Sequence, residues 1–217
     1  EGGFGSFFQG IELAESLRLP GGRMKLIHRI LLLEPEGGRY GLGRIRAEAD
    51  IHPDDWFLTC HFMDDMVMPG TLMYECCAHT LRVFIQRMGW VTAKPGTCYE
   101  TVEGIECVLK CRGPVTPETR HVWYEVEIKE LGYAPEPYVI ADAHMFADGR
   151  FIVFFKNMSM KMTGIHRDEI EAQWPGGPGE KTTEAESAAP SSLYDKRSIL
   201  AFAVGNPSEA FGEPYRI

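Results

Sequence analysis

Residues 60–75 read Cys-His-Phe-Met-Asp-Asp-Met-Val-Met-Pro-Gly-Thr-Leu-Met-Tyr-Glu, and this stretch decides the fold. It contains His61, the pair Pro69-Gly70, and Glu75. Proline suits the start of a helix because its missing N–H costs no hydrogen bond there, and glycine lets another molecule approach the main chain closely. The free amides of such a helix start favour negative charge. The stretch therefore combines a base, an anion-binding helix start and an acid, which is enough to move two protons.

A long and largely buried helix is predicted to follow this motif. Between Gly70 and Met88 no proline or glycine interrupts the chain. Apolar residues recur with helical spacing over the predicted helix: Leu72, Met73, Cys76, Cys77, Leu81, Phe84, Ile85 and Met88.

Six other segments predict strands because they are rich in β-branched and aromatic residues: 24–33, 39–49, 99–112, 121–131, 136–146 and 150–162. Turn residues at 34–38 and the pair Asp148-Gly149 predict hairpins between neighbouring strands. Two strands, one apolar helix and four strands indicate an α+β fold in which an antiparallel sheet wraps around the helix.

The motif resembles a known enzyme family. His61-Phe62, the run Val67 to Gly70, and an acid fourteen residues after the histidine are similar to the signature of β-hydroxyacyl-acyl carrier protein dehydratases. The resemblance covers roughly residues 20 to 165, and its flanks are similar to dehydratase domains of polyunsaturated-fatty-acid and polyketide-like synthases. It implies the hot-dog fold. One departure is that Asp64 and Met66 stand where the family usually has a glycine and a proline.

The resemblance also implies roles for four residues. His61 would be the base and Glu75 the acid that dehydrate a β-hydroxyacyl thioester to the trans-2-enoyl product in fatty-acid or polyketide-type synthesis. A histidine suits a base at neutral pH, and burial would keep a glutamate protonated. The Gly70 amide would bind the thioester oxygen, and the Val67 carbonyl would orient the histidine. The family uses no metal and no further cofactor, because the phosphopantetheine belongs to the acyl carrier protein partner, and it pairs His61 of one copy with Glu75 of another in a homodimer.

Several alternatives stay open at this level. Glu75, His79, Arg82 and Gln86 recur at helical spacing, so Glu75 could belong to a solvated polar stripe. A hot-dog thioesterase, or a catalytically silent hot-dog scaffold unit of a synthase, would share the fold. The cysteines do not favour a metal site, because the adjacent Cys76 and Cys77 point to different helix faces and no CxxC pair exists.

Composition and charge exclude other classes of function. The chain has 217 residues with a net charge of −9, which disfavours a nucleic-acid surface. Acyl carrier proteins are acidic, so docking one requires a local basic patch that the total charge hides. No long apolar segment appears, which predicts a cytoplasmic protein without membrane insertion, and the six cysteines are expected to be reduced.

The chain is predicted to be an excised module of a larger protein. Residues 1–19 are interpreted as an entry segment, 20–166 as the hot-dog domain, and 167–190 as a linker because of their Pro, Gly and acidic content. Residues 191–217 regain apolar side chains and resemble the entry segment of a following module, so we expect them to dock on a hydrophobic surface.

Overall fold

The computed structural model describes residue 8 and residues 11–173. Two 3-10 helices, Glu15–Leu17 and Gly22–Met24, precede the strands β1 (Arg29–Glu34) and β2 (Arg44–Asp50). The helices α1 (Trp56–Cys60) and α2 (Gly70–Arg87) come next. The second half holds β3 (Cys98–Glu100), β4 (Val108–Cys111), β5 (His121–Gly132), β6 (Tyr138–Ala147), β7 (Arg150–Thr163) and α3 (Arg167–Glu171).

The strands form one antiparallel sheet in the order β1-β2-β5-β6-β7-β3, and β4 also pairs with β7. The long strand β7 therefore has two partners along one edge. Its first half faces β4, with Lys110 opposite Phe154, and its second half faces β3, with Tyr99 opposite Met162. Because β4 has β7 as its single partner among the described strands, its other edge is unpaired.

The sheet wraps around α2, as the sequence predicts. Twelve side chains of this helix are buried, and they pack on the inward-facing residues of β5 and β6. The closest approach is at Gly43, where an added Cβ would lie 2.1 Å from Cζ of Phe84 and where φ is +130°. Only glycine combines that backbone conformation with that contact. The α+β class and the antiparallel sheet around one long helix are thus confirmed.

Several strand boundaries differ from the prediction. The segment 99–112 forms two strands instead of one, because a turn closed by the Ile105 amide on the Val102 carbonyl, with Gly104 at φ +78°, interrupts it. The first strand begins at Arg29 because the 3-10 helix Gly22–Met24 occupies its predicted start. The predicted hairpin at Asp148-Gly149 is confirmed, since both residues have positive φ, as a tight hairpin turn requires.

The packed core extends past the predicted boundaries of the hot-dog domain. Leu17 and Ile170 are both fully buried in the same core, although they lie outside 20–166. The proline, glycine and acidic residues after Gly164 predict little contribution of this part of the chain to the core, which is wrong for the apolar side chains of Ile165 and Ile170. The division of the chain into segments stays a prediction, and residues 174–217, including the expected docking segment 191–217, lie outside the described residues. None of the described helices is both long and apolar enough to cross a membrane.

Candidate active site

The loop from His61 to Val67 is closed by hydrogen bonds at both ends. The Val67 amide donates to the His61 carbonyl at 2.8 Å, and the Phe62 amide donates to the Asp65 carbonyl at 2.7 Å. The short helix α1 ends at Cys60, so it delivers His61 directly into this loop. On the other side, the Met68 amide donates to the Val115 carbonyl at 3.0 Å, which ties the loop to the segment after β4.

One ring nitrogen of His61 is fixed by this loop. Nδ1 lies 2.9 Å from the carbonyl oxygen of Val67. A carbonyl oxygen only accepts hydrogen bonds, so Nδ1 carries the proton in this contact and Nε2 has a free lone pair. His61 is half-buried. Nε2, the other ring nitrogen, has no hydrogen-bond partner within residues 11–173.

The helix α2 begins next to this histidine. Pro69 is the residue before the first helical turn, with extended ψ of 138°, and its carbonyl accepts from the Leu72 and Met73 amides. We predicted Pro69 inside the first turn, and the helix instead begins at Gly70. No side chain caps the helix, and the Gly70 amide has no partner within residues 11–173. A Cβ added at Gly70 would meet nothing within 4 Å, so open space adjoins this amide.

Glu75 lies one and a half turns into α2 and is partly accessible, so the burial that we expected to keep it protonated is not present within one chain. Its side chain is 42% exposed, and its Oε2 lies 3.4 Å from Nε2 of His79, which is 4% exposed. Burial, and secondarily the positive charge of Arg82, lower the pKa of His79 to about 4. His79 is therefore neutral at physiological pH, and it contacts Glu75 as a polar group rather than as a cation.

The polar stripe on α2, which the sequence left open as an alternative for Glu75, is solvated only in part, at Glu75. His79 and Gln86 are buried, and Gln86 donates from Nε2 to the Leu17 carbonyl at 2.6 Å. The guanidinium of Arg82 lies over the ring of Tyr99, 5.8 Å from its centroid. The segment before residue 20 covers this side of the helix. His79 was not predicted as the neighbour of Glu75, although the spacing of four residues was the available signal.

Within one chain, the histidine and the acid are separate. No hydrogen bond or ion pair joins His61 to Glu75 within residues 11–173. The two side chains belong to different elements: His61 to the closed loop and Glu75 to α2.

The cysteines and histidines near the motif do not gather into a metal site. Cys76 and Cys77 are buried free thiols, and burial raises the pKa of Cys76 to about 12. In the described part of the chain, the single group with suitable ligand atoms is Glu48, Asp50 and His121. A cation already lies there, since Nη1 of Arg29 donates to Asp50 at 2.7 Å and the same guanidinium pairs with Glu48.

Comparison with known proteins assigns the chain to a family. The model of the FabA-like domain matches residues 19–156, which is more than half of the chain. The chain belongs to the FabA-like domain family. This FabA-like domain has the hot-dog fold implied by the sequence motif.

A curated relative places such a domain in a much longer protein. The chain is 33% identical over 125 residues to a polyunsaturated fatty acid synthase subunit of Thraustochytrium sp.. The match covers 57% of this chain and only 8% of that protein.

Solved structures with low sequence identity are also similar. A hypothetical thioesterase of Streptococcus pneumoniae, solved with coenzyme A, has 11% identity and a TM-score of 0.44, covering 64% of this chain and 87% of that one. The TT0310 protein of Thermus thermophilus has 12% identity and a TM-score of 0.42, covering 61% of this chain and 89% of that one.

Proposed function

We propose that this FabA-like domain dehydrates β-hydroxyacyl thioesters, carried on acyl carrier protein, to trans-2-enoyl thioesters. The observation that carries the proposal is the contact between Nδ1 of His61 and the Val67 carbonyl, 2.9 Å long, which leaves Nε2 as a base. Membership of the FabA-like family and the similarity to a polyunsaturated fatty acid synthase subunit support the same reaction.

His61 removes the proton from the carbon beside the thioester carbonyl. Nε2 accepts this proton, and the electrons of the broken C–H bond form the new double bond as the C–O bond to the β-hydroxyl breaks. The Val67 carbonyl then faces Nδ1–H of an imidazolium, which it stabilises as an acceptor. A positioned base of this kind typically contributes about 10²- to 10⁴-fold to a rate.

Glu75 supplies the second proton. A protonated carboxyl at this position gives its proton to the departing hydroxyl, which leaves as water. The ring of His79, 3.4 Å away, contacts this carboxyl from the buried side of the helix. The two proton transfers balance the reaction without a metal or a redox cofactor.

The Gly70 amide stabilises the negative charge that develops on the thioester oxygen. It is the first amide of a long helix, it has no partner among the described residues, and open space adjoins it. One donor of this kind typically contributes about 3 kcal/mol to the stability of a transition state.

The active unit we propose is a homodimer in which His61 of one copy acts with Glu75 of the other. Two observations support it: His61 and Glu75 make no direct contact within one chain, and the edge of β4 is free. The side chains of β4 are all exposed, including Val108 and Leu109. An edge strand with exposed apolar residues is suited to pairing with another strand.

A direct assay tests the reaction. The purified chain is given a 3-hydroxybutyryl N-acetylcysteamine thioester, and both the conjugated enoyl product and the free thiol are measured. Enoyl product without thiol release is expected, and His61→Ala and Glu75→Gln should each lose at least about 100-fold in kcat/KM while remaining folded. Thiol release without enoyl product would assign the site to a thioesterase. Turnover of neither kind by the wild-type chain would favour a silent scaffold unit.

A further inference from the structure

Three unpaired cations lie near one edge of the sheet, and two of them, Lys110 and Lys156, are on the outer face that is turned away from α2. Lys110 lies opposite Phe154 in the pairing of β4 with β7, and Lys156 lies opposite Val108. Arg112 continues the ladder, since its amide donates to the Ile152 carbonyl at 2.7 Å. All three side chains are exposed, and none makes an ion pair within residues 11–173.

Three other cations on the outer face of the sheet form ion pairs with carboxylates. Arg44 pairs with Glu34, and Lys129 pairs with Asp142. Arg46 pairs with Glu125 while it covers the ring of Trp123. The positive charge of Lys110, Arg112 and Lys156 is therefore a local feature in a chain whose net charge is −9.

Aromatic rings adjoin these cations. Phe154 stacks on His144, with 4.9 Å between ring centroids, and Phe151 lies 5.4 Å from Phe146. Phe151 is one of the exposed large apolar residues. We call Lys110, Arg112, Lys156, Phe151 and Phe154 the basic-aromatic patch. Apolar rings beside unpaired cations fit a partner that presents carboxylates around an apolar contact.

The basic-aromatic patch is connected to the candidate active site. The chain runs from Arg112 to Val115, whose carbonyl accepts from the Met68 amide. Met68 follows Val67, which holds His61. Two residues of chain, Gly113 and Pro114, thus separate the patch from the residue bonded to the His61 loop.

We propose that the basic-aromatic patch is the docking surface for the acidic carrier protein that delivers the thioester. This inference rests on the proposed function, because it assigns a surface to the carrier of that substrate. The carboxylates of the carrier face Lys110, Arg112 and Lys156, while Phe151 and Phe154 pack on its apolar side chains. Electrostatic docking of this kind acts mainly on association, so it is weakened by salt.

Charge reversal tests the proposal. The variant Arg112→Glu/Lys156→Glu is compared with Lys25→Glu/Arg39→Glu, which makes the same charge change at exposed residues outside the patch. The substrates are 3-hydroxybutyryl thioesters of an excised acyl carrier domain and of N-acetylcysteamine. In the patch variant, kcat/KM should fall at least about tenfold with the carrier domain and stay within about twofold with the small thioester, and the control variant should change neither.

Binding gives a readout that does not require turnover. Fluorescence anisotropy with a labelled, unloaded carrier domain should show a Kd at least about tenfold higher for the patch variant than for the control variant. Equal Kd values for the two variants would overturn the docking surface. If wild-type chain binds the carrier through the patch and yet dehydrates neither thioester, the proposed function fails while the docking surface stands.

Discussion

Nε2 of His79 lies 3.4 Å from Oε2 of Glu75, one turn apart on α2, and the two side chains differ sharply in exposure. The imidazole is buried while the carboxyl is partly accessible. A buried ring thus contacts a carboxyl that solvent partly reaches. Because burial lowers the pKa of His79 to about 4, this arrangement persists at physiological pH.

The lowered pKa of His79 predicts a pH dependence of stability. In the unfolded chain the ring titrates near 6.5, and in the folded chain near 4. Between these values the unfolded state binds more protons, so the free energy of unfolding should fall as the pH decreases from 6.5 to 4, by up to about 3 kcal/mol. Above pH 6.5 this contribution is fully present.

Chemical denaturation of His79→Gln at several pH values measures this contribution. The variant should lose the part of the pH dependence that lies between 6.5 and 4, whereas His52→Gln, at an exposed histidine, should keep the wild-type profile. Superimposable profiles for His79→Gln and wild type would show that His79 is not the group that titrates.

The shared site predicts complementation between two inactive variants. When His61→Ala and Glu75→Gln chains are unfolded together and refolded, half of the dimers should be mixed, and each mixed dimer has one intact site. The mixture should regain about a quarter of wild-type activity, since a two-fold dimer has two sites. If both groups acted within one chain, no activity would return.

The free edge of β4 predicts where the two copies meet. Leu109→Glu, at a residue that is 47% exposed on β4, should yield a monomer in light scattering and lose activity. The matched control is Leu31→Glu, because Leu31 is 49% exposed on β1 at the opposite edge of the sheet. Dimers that persist in Leu109→Glu and dissociate in Leu31→Glu would move the interface to β1.

Gly70 should tolerate a methyl group structurally but not catalytically. An added Cβ meets nothing within 4 Å and φ is not positive, so Gly70→Ala should keep or raise the free energy of unfolding, by up to about 1 kcal/mol. The methyl group fills the open space beside the amide, so kcat/KM for the thioester should fall. Gly21→Ala, also without close neighbours, is the control. Full activity of Gly70→Ala would show that the thioester oxygen binds elsewhere.

Local patterns in the sequence were enough to predict the helix α2 and the antiparallel hairpins. Strand alternation and helical spacing are set by main-chain geometry, so they are visible in residue types. The five-residue helix α1 was missed because so short an element has no period to detect. The division of 99–112 depends on one turn at Gly104, which lies inside a segment of otherwise strand-forming residues.

The sequence predicted individual contacts in the candidate site but not the residues that pack around it. The contact of His61 with Val67 followed from the resemblance of the motif, as did the helix start beside Gly70. The burial of Gln86 did not, because it depends on a hydrogen bond to the carbonyl of Leu17, which is distant in sequence. Such long-range covering is decided by tertiary packing, which no local spacing encodes.

The closed loop from His61 to Val67 has a consequence for how the motif can vary. Its shape is defined by amide-to-carbonyl bonds, Val67 to His61 and Phe62 to Asp65, and no side chain between residues 62 and 66 contributes to them. Asp64 and Met66 can therefore replace the glycine and proline that the related enzymes usually carry without displacing the histidine. Residues 63–66 form the tip of this loop. Replacing their side chains offers a way to alter what approaches the site while His61 keeps its position.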